Sequence, residues 1–341
     1  MIHELDNIID DFVTAGQSGL ECVLATVVEL EGSSYRRPGV RMLIREDDQM
    51  TGAVSGGCVE KEILRQSMSV FKDGSPKIMT YDGRYRLGCE GILFILIEKF
   101  CPSEALILAF KSSVEKRSPV LVKSYYSRQE GTNEAFGSHL ILESGQVFPF
   151  GTLQKPDRKL DCFTDELKPS LKLLIIGAEH DAVELSSLAA SCGWQVTIIA
   201  PSSDPREPKH FPGAGEIINS APEFFSSDWV DIRTAVVLMT HSYVLDLQYM
   251  MKLVEHRPRY LGLLGPRTRR EKLFEELWGQ LPEIDTEFFD SVSGPAGINI
   301  GAETPREIAI SVVGEILSVF REQEPKPLKD KVGRIHSGVK L

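Results

Sequence analysis

The apolar positions of this chain keep one rhythm in its first half and another in its second. Residues 2–18 repeat at helical spacing, and the Val-, Leu- and Thr-rich run 22–30 predicts a strand. Runs 41–44, 77–81 and 92–98 predict further strands, and 102–117 a helix. Residues 51–54 lead into the turn Ser55-Gly56-Gly57, after which Cys58 opens a helix over 59–71. Three later runs, 120–126, 138–142 and 146–150, read as antiparallel strands, with Glu143-Ser144-Gly145 closing a hairpin.

The polar stretch 151–170, with Pro156, Pro169 and several charges, predicts a linker. Beyond it, near-continuous apolar strands alternate with helices. Strands are expected at 171–176, 195–200, 216–218, 235–240 and 260–264, and helices at 182–192, 245–256 and 267–278. Apolar runs of this kind belong to strands covered on both faces by crossover helices, hence to a parallel sheet. Thr304, Pro305 and Glu307 fit the cap, first and third positions of a last helix reaching residue 321. The expected class is α/β. An α+β N-terminal domain spans 1–150, the linker 151–170, a Rossmann-like domain 171–322 and a tail 323–341. The tail is rich in Pro and Lys, a composition that orders only against another surface, and this hints at a homodimer.

With 341 residues the chain has material for about two cores, at roughly 150 residues per domain. A net charge of −11 argues against general nucleic-acid binding, yet leaves room for a small anion in a local basic pocket. The six cysteines show neither a disulfide framework nor a C-x-x-C zinc pattern. The first residues lack the basic and apolar segments of a signal peptide, and no apolar run is long enough for a bilayer. The expectation is a cytoplasmic protein with reduced thiols and no membrane partner.

Two cysteines lie in glycine-rich turns, Ser55-Gly56-Gly57-Cys58-Val59-Glu60 and Leu87-Gly88-Cys89-Glu90-Gly91. Glycines let backbone N–H groups approach a ligand, and a helix start favours a thiolate at Cys58. The bland alternative is a small buried hydrophobe. Cys89 has the weaker case, because Glu90 opposes a thiolate beside it. Gly32-Ser33-Ser34-Tyr35-Arg36-Arg37-Pro38-Gly39-Val40-Arg41 brings hydroxyls and three guanidinium groups within ten residues, either an anion site or a charged surface loop.

In the second half, Gly177-Ala178-Glu179-His180-Asp181-Ala182 occupies the place of a G-x-G-x-x-G/A dinucleotide fingerprint. Glu179 stands where the second glycine belongs, and Ile199-Ala200-Pro201 lacks the acidic residue that holds a ribose. Binding of NAD(P) is therefore not expected, and a Rossmann scaffold without a dinucleotide is the plain reading. Gly265-Pro266-Arg267 opens a helix fit for an anion or for a solvated basic face. His241 follows a buried strand where a ligand crevice should open, or it merely caps the next helix. His180 carries the same two readings. No catalytic triad and no phosphate-loop motif can be argued from spacing.

Taken together, these segments resemble the XdhC/CoxI family, accessory factors of xanthine dehydrogenase and related molybdenum hydroxylases. The matching pieces are Gly32-Ser33-Ser34 with Pro38-Gly39-Val40-Arg41-Met42, then Ser55-Gly56-Gly57-Cys58-Val59-Glu60 and Leu87-Gly88-Cys89. The second half adds Ile176-Gly177-Ala178 with His180, Thr240-His241, Tyr260-Leu261-Gly262-Leu263-Leu264-Gly265, and Gly297-Ile298-Asn299-Ile300-Gly301-Ala302-Glu303-Thr304-Pro305. The resemblance implies a chaperone without turnover of its own. It would hold a molybdopterin-type molybdenum cofactor while a cysteine desulfurase installs the terminal sulfur, then deliver it to the hydroxylase. On this reading Cys58 holds or protects the metal end. Ser33, Arg37, Arg41, Ser55, Gly56, Gly57, Glu60 and Cys89 join it around the cofactor, with Gly177, His180, His241, Gly265 and Arg267 in the second domain. The competing reading is a nucleotide-dependent oxidoreductase or an accessory subunit of xanthine dehydrogenase. Where the family usually has Gly, this chain has Glu179 and Glu90, and it has Ala200 near the family's Asp.

Overall fold

The computed structural model describes residues 2–32, 37–54, 57–83, 91–151, 157 and 159–331, apart from the side chain at 58. The chain divides into two compact units, Met1–Pro169 and Ser170–Leu341.

Among its described residues the first unit packs two antiparallel sheets with three α-helices. Helix α1 (Ile2–Gln17) buries Ile2, Leu5, Ile8, Ile9 and Ala15, the spacing of a single helical face. Strands β1 (Cys22–Glu31), β2 (Arg41–Arg45) and β3 (Met50–Gly52) are followed by α2 (Cys58–Asp73), β4 (Lys77–Asp82) and β5 (Ile92–Lys99). Helix α3 (Glu104–Glu115) precedes β6 (Val120–Tyr126), β7 (Gly131–Thr132), β8 (Gly137–Leu142), β9 (Val147–Pro149) and β10 (Asp161–Leu167). One sheet has the order β3-β2-β1-β5-β4-β7, the other β10-β6-β8-β9.

Strand alternation divides the larger sheet's side chains between two cores. Val23, Ala25, Val27, Met42, Ile44, Ile95 and Ile97 pack with Val59, Ile63 and Val70 of α2. Cys22, Leu24 and Leu43 pack instead with α1, α3 and the smaller sheet. The stretch expected as a linker thus holds a strand: β10 pairs with β6 along its whole length, from Asp161 opposite Tyr126 to Leu167 opposite Val120. Its alternation is masked by charge, because only Leu167 of this edge strand is buried.

Between the two sheets lies a polar layer. Arg41 is 7% exposed, and its Nη1 donates to Asp165 Oδ2 on β10 at 2.8 Å and to the Gly39 carbonyl at 2.9 Å. Glu98 on β5 is 3% exposed, and its Oε2 accepts from the Ser138 N–H on β8 at 2.9 Å. Two contacts therefore cross from sheet to sheet through charged groups. Removing one partner of such a buried pair strands the other, at about 3–5 kcal/mol.

The second unit is doubly wound. Its elements are β11 (Lys172–Ile176), α4 (His180–Ser191), β12 (Gln195–Pro201), β13 (Glu216–Ser220), β14 (Thr234–Leu238), α5 (Tyr243–Glu255), β15 (Tyr260–Leu263), α6 (Arg267–Gln280), α7 (Thr286–Ser291), β16 (Val292–Ser293) and α8 (Pro305–Arg321). The sheet order β13-β12-β11-β14-β15-β16 reverses between β11 and β14, and all five pairings are parallel. Alternate residues of β11 feed opposite faces. Leu173 and Ile175 join the core under α4 and α8, while Leu174 and Ile176 join the one under α5, α6 and α7. Helix α8 begins as its sequence implies: Thr304 Oγ1 accepts from the Glu307 N–H, and Glu307 Oε2 accepts from the Thr304 N–H.

Burial pushes the Glu98 carboxyl up to about 7, against 4.5 for an ordinary glutamate. The folded state therefore binds the proton that the unfolded chain releases between those values. That stability is fully present below pH 4.5 and is lost as pH rises through about 7. Glu98→Gln keeps an acceptor for the Ser138 N–H without a charge. The difference in melting temperature between variant and wild type is expected to grow in the variant's favour from pH 5 to pH 8, followed by calorimetry.

Candidate functional site

In the first unit the described candidate residues lie at the start of α2 and in and after the turn before β2. Gly57 precedes the helix with φ +120°, a conformation that side chains rarely adopt, so Cys58 enters as the first helical residue. The Gly57 N–H donates to Glu60 Oε2 at 2.7 Å. Glu60, expected among the cofactor contacts, instead turns back to close the helix start and is 9% exposed. The Gly39 turn has φ +101°, and a Cβ there would sit 2.9 Å from Asp165 Oδ2. The Gly39 N–H donates to the Val27 carbonyl, and the Val27 N–H to the Val40 carbonyl. Arg41, expected as an open anion contact, is an inter-sheet strut. Its Nε and Nη2 are buried with no hydrogen-bond partner among the described residues. Arg37 is exposed at the foot of the same loop. Ser33, Ser55, Gly56 and Cys89 lie outside the described residues. No cluster of three His, Cys, Asp or Glu side chains able to hold a metal occurs among the described residues.

In the second unit the candidates gather at the carboxyl ends of the strands. Gly177 leaves β11 with φ +131°, and a Cβ there would collide with the Met239 carbonyl after β14. The Gly177 N–H donates to the Ile199 carbonyl at 2.9 Å, and the Met239 N–H to the Ile176 carbonyl at 2.8 Å. This close approach sets the switch point where β11 and β14 diverge. Glu179 caps α4 without a side-chain hydrogen bond, and His180 is exposed in the first turn. His241, on the other lip, has φ +55°, an uncommon conformation for a residue other than glycine. Its Nε2 lies 3.8 Å from Asp181 Oδ2, and its side chain is 52% exposed. The cap of α5 is Ser242, whose Oγ accepts from the Leu245 N–H, so His241 is not spent on that task.

The residue that organises this lip is not among those the sequence singles out. Asp246, 2% exposed, accepts from Thr240 Oγ1 at 2.7 Å and from Arg269 Nη2 at 2.7 Å. Arg269 also lies over the Tyr243 ring, 5.9 Å from its centre. It is this arginine of the Gly265 turn, with Gly265 at φ +112°, that faces inward. Arg267 is solvent-exposed and pairs with Glu271 at 2.6 Å, so it completes a surface ion pair. A polar residue one turn into a helix after an apolar strand, with arginines opening the next helix, is the signal that could have found Asp246. Asp204, the acid nearest the usual ribose position, is held by Arg206 at 2.6 Å.

The fold and lip define a Rossmann-type domain preceded by an antiparallel α+β unit. Residues 173–316 match the XdhC Rossmann domain, and residues 15–82 match the XdhC and CoxI family. A Bacillus subtilis (strain 168) protein, named as a probable subunit of xanthine dehydrogenase, is 30% identical over 315 residues, 87% of this chain and 92% of that one. "Molybdenum cofactor insertion chaperone PaoD" of Escherichia coli (strain K12) is 28% identical over 321 residues, 92% of this chain and 87% of that one. A crystal structure of a xanthine dehydrogenase from Bacillus halodurans superposes with a TM-score of 0.75 at 26% identity, covering 94% of this chain and 98% of that one. The chain belongs to the XdhC and CoxI family. No helix among the described residues is long and apolar enough to cross a membrane.

Replacing Asp246 by Ala leaves the Arg269 guanidinium and the Thr240 hydroxyl without their shared acceptor. Chemical denaturation is expected to show a loss of about 3 kcal/mol, whereas Arg267→Ala, which breaks an exposed pair, should change stability by under about 0.5 kcal/mol.

Proposed function

We propose that this chain is a molybdenum-cofactor chaperone. It takes the cofactor as cargo in its first unit, shields it while a cysteine desulfurase adds the terminal sulfur, and hands it to xanthine dehydrogenase or a related molybdenum hydroxylase. The observation that carries the reading is the start of α2, where left-handed Gly57 puts Cys58 at the first helical position. Partial positive charge there favours a thiolate, and thiolates suit soft, sulfur-rich metal centres. Arg37, exposed beside this turn's neighbour loop, supplies a donor for the anionic part of the pterin.

The names of the relatives support this reading, since one of nearly equal span is called a molybdenum cofactor insertion chaperone. Another is called a probable subunit of xanthine dehydrogenase, which favours a second reading as an accessory subunit that stays bound to the enzyme. The carboxylate of Glu179 at the fingerprint speaks against an oxidoreductase that uses a dinucleotide.

Anaerobic titration of the purified chain with isolated molybdopterin cofactor, followed by fluorescence quenching, tests the proposal. Saturable one-to-one binding is expected, weakened about tenfold or more by Cys58→Ala and less, but in a salt-sensitive way, by Arg37→Ala. Failure to saturate, or equal binding by Cys58→Ala, overturns it. Stable co-elution with the mature hydroxylase rather than transfer to its apo form would favour the subunit reading.

A further inference from the structure

Three polar side chains share one face of the larger sheet in the first unit, and each carries more hydrogen-bonding capacity than its neighbours use. Thr26 is fully buried, and Glu98 and Arg41 are nearly so. Thr26 on β1 lies directly opposite Arg41 on β2, and Leu24, two residues back on the same face, lies opposite Glu98 on β5. Direct cross-strand neighbours are about 5 Å apart and diagonal ones about 7–8 Å, within reach of side chains as long as Arg and Glu. Burial raises the Glu98 carboxyl, and the Arg41 charge is near enough to oppose that rise. Even so, Oε1 of Glu98 and the Nε and Nη2 of Arg41 do not pair with each other.

The partners these groups do have leave one side of each open. Asp165 and the Gly39 carbonyl both engage Nη1 of Arg41. Its Nε and Nη2 form a two-donor edge of the guanidinium plane. Oε2 of Glu98 accepts from the Ser138 N–H, and on the facing sheet the Ser124 and Ser138 hydroxyls bond to each other at 2.7 Å. Arg41 Nε and Nη2, Glu98 Oε1 and Thr26 Oγ1 are all buried without a partner among the described residues. A buried polar atom left unpaired bears its whole desolvation cost, so a group of them on one patch marks a place that a ligand fills. The mixture of signs selects that ligand. The guanidinium edge only donates, a carboxylate oxygen only accepts, and a hydroxyl does both. An anion would suit the guanidinium and be repelled by the carboxylate, and a cation would do the reverse. A small neutral molecule that both donates and accepts serves every group. Water meets these conditions, and a buried water ordinarily makes about three hydrogen bonds.

We infer that this polar layer is a binding site for about one or two internal water molecules, which bridge Nε and Nη2 of Arg41 to Oε1 of Glu98 and to the Thr26 hydroxyl. The water is a structural ligand of the first unit. It links β1, β2 and β5 through their side chains, while Asp165 and Ser138 carry the same network to β10 and β8. The two charged contacts between the sheets thus belong to one hydrated network. Neither Cys58 nor Arg37 takes part, so the site stands apart from the cargo reading.

A high-resolution crystal structure of the full chain tests this without any molybdenum compound, so its failure leaves the cargo reading untouched. Water density is expected at about 2.7–3.2 Å from the free guanidinium edge of Arg41 and from Oε1 of Glu98. A bromide soak separates water from an anion, because bromide bound at the guanidinium would stand out in the anomalous map. In solution, oxygen-17 magnetic relaxation dispersion counts long-lived internal waters. Thr26→Ile pushes an extra methyl group into the water's place and should lose at least one of them, with an unchanged circular dichroism spectrum. Thr26→Ser keeps the hydroxyl and should keep the wild-type count. Should Thr26→Ile fail to fold, the wild-type crystal structure still decides. The inference is overturned by a direct Arg41–Glu98 ion pair with no water between them, by bromide on the guanidinium edge, or by an equal count of long-lived waters in wild type and folded Thr26→Ile.

Discussion

Charge buried between two sheets is costly, and the first unit is organised around the place where that cost is met. Arg41 reaches across to Asp165 and back to the Gly39 carbonyl with the same nitrogen. The guanidinium thus holds the edge strand β10 against the larger sheet and fixes the turn at Gly39. Asp165 stands so close to Gly39 that no side chain fits between them.

The second unit meets a different constraint at its switch point. Gly177 and the Met239 carbonyl come together as closely as two backbones can, which opens the crevice between the diverging strands. Near one such crevice lie an apolar cleft, an exposed histidine in a left-handed turn and a carboxylate at the helix start. The scaffold of a dinucleotide fold is intact in its glycine and strand order, and changed in the side chains that would meet phosphate. Fold and ligand are separable in this way because the sheet depends on backbone approach, while the ligand depends on what projects from it.

Much of this is legible in the sequence, for reasons that can be named. The apolar runs of β11, β12, β14 and β15 announce a sheet buried on both faces, and Thr304-Pro305-Arg306-Glu307 announces a helix start. Strand β10 is hidden because an edge strand with a single buried residue looks like a linker. The short strands β3, β7 and β16 have two or three residues each, too few to show a period. Glu60 and Arg41 point toward a ligand on sequence alone, because a sequence shows that a charge is present but not what it already holds. Asp246 escapes notice for the opposite reason, since its importance lies in partners at Thr240 and Arg269 that are distant along the chain.

That aspartate has a mechanical meaning as well. One oxygen is tied to the turn after β14 and the other to the first helical turn after β15, so two separate loops share a single anchor. Neither loop can retreat alone without depriving the buried Asp246 carboxylate of a partner. The border of the crevice on this side therefore behaves as one stiff lever, hinged on a carboxylate, rather than as two independent flaps.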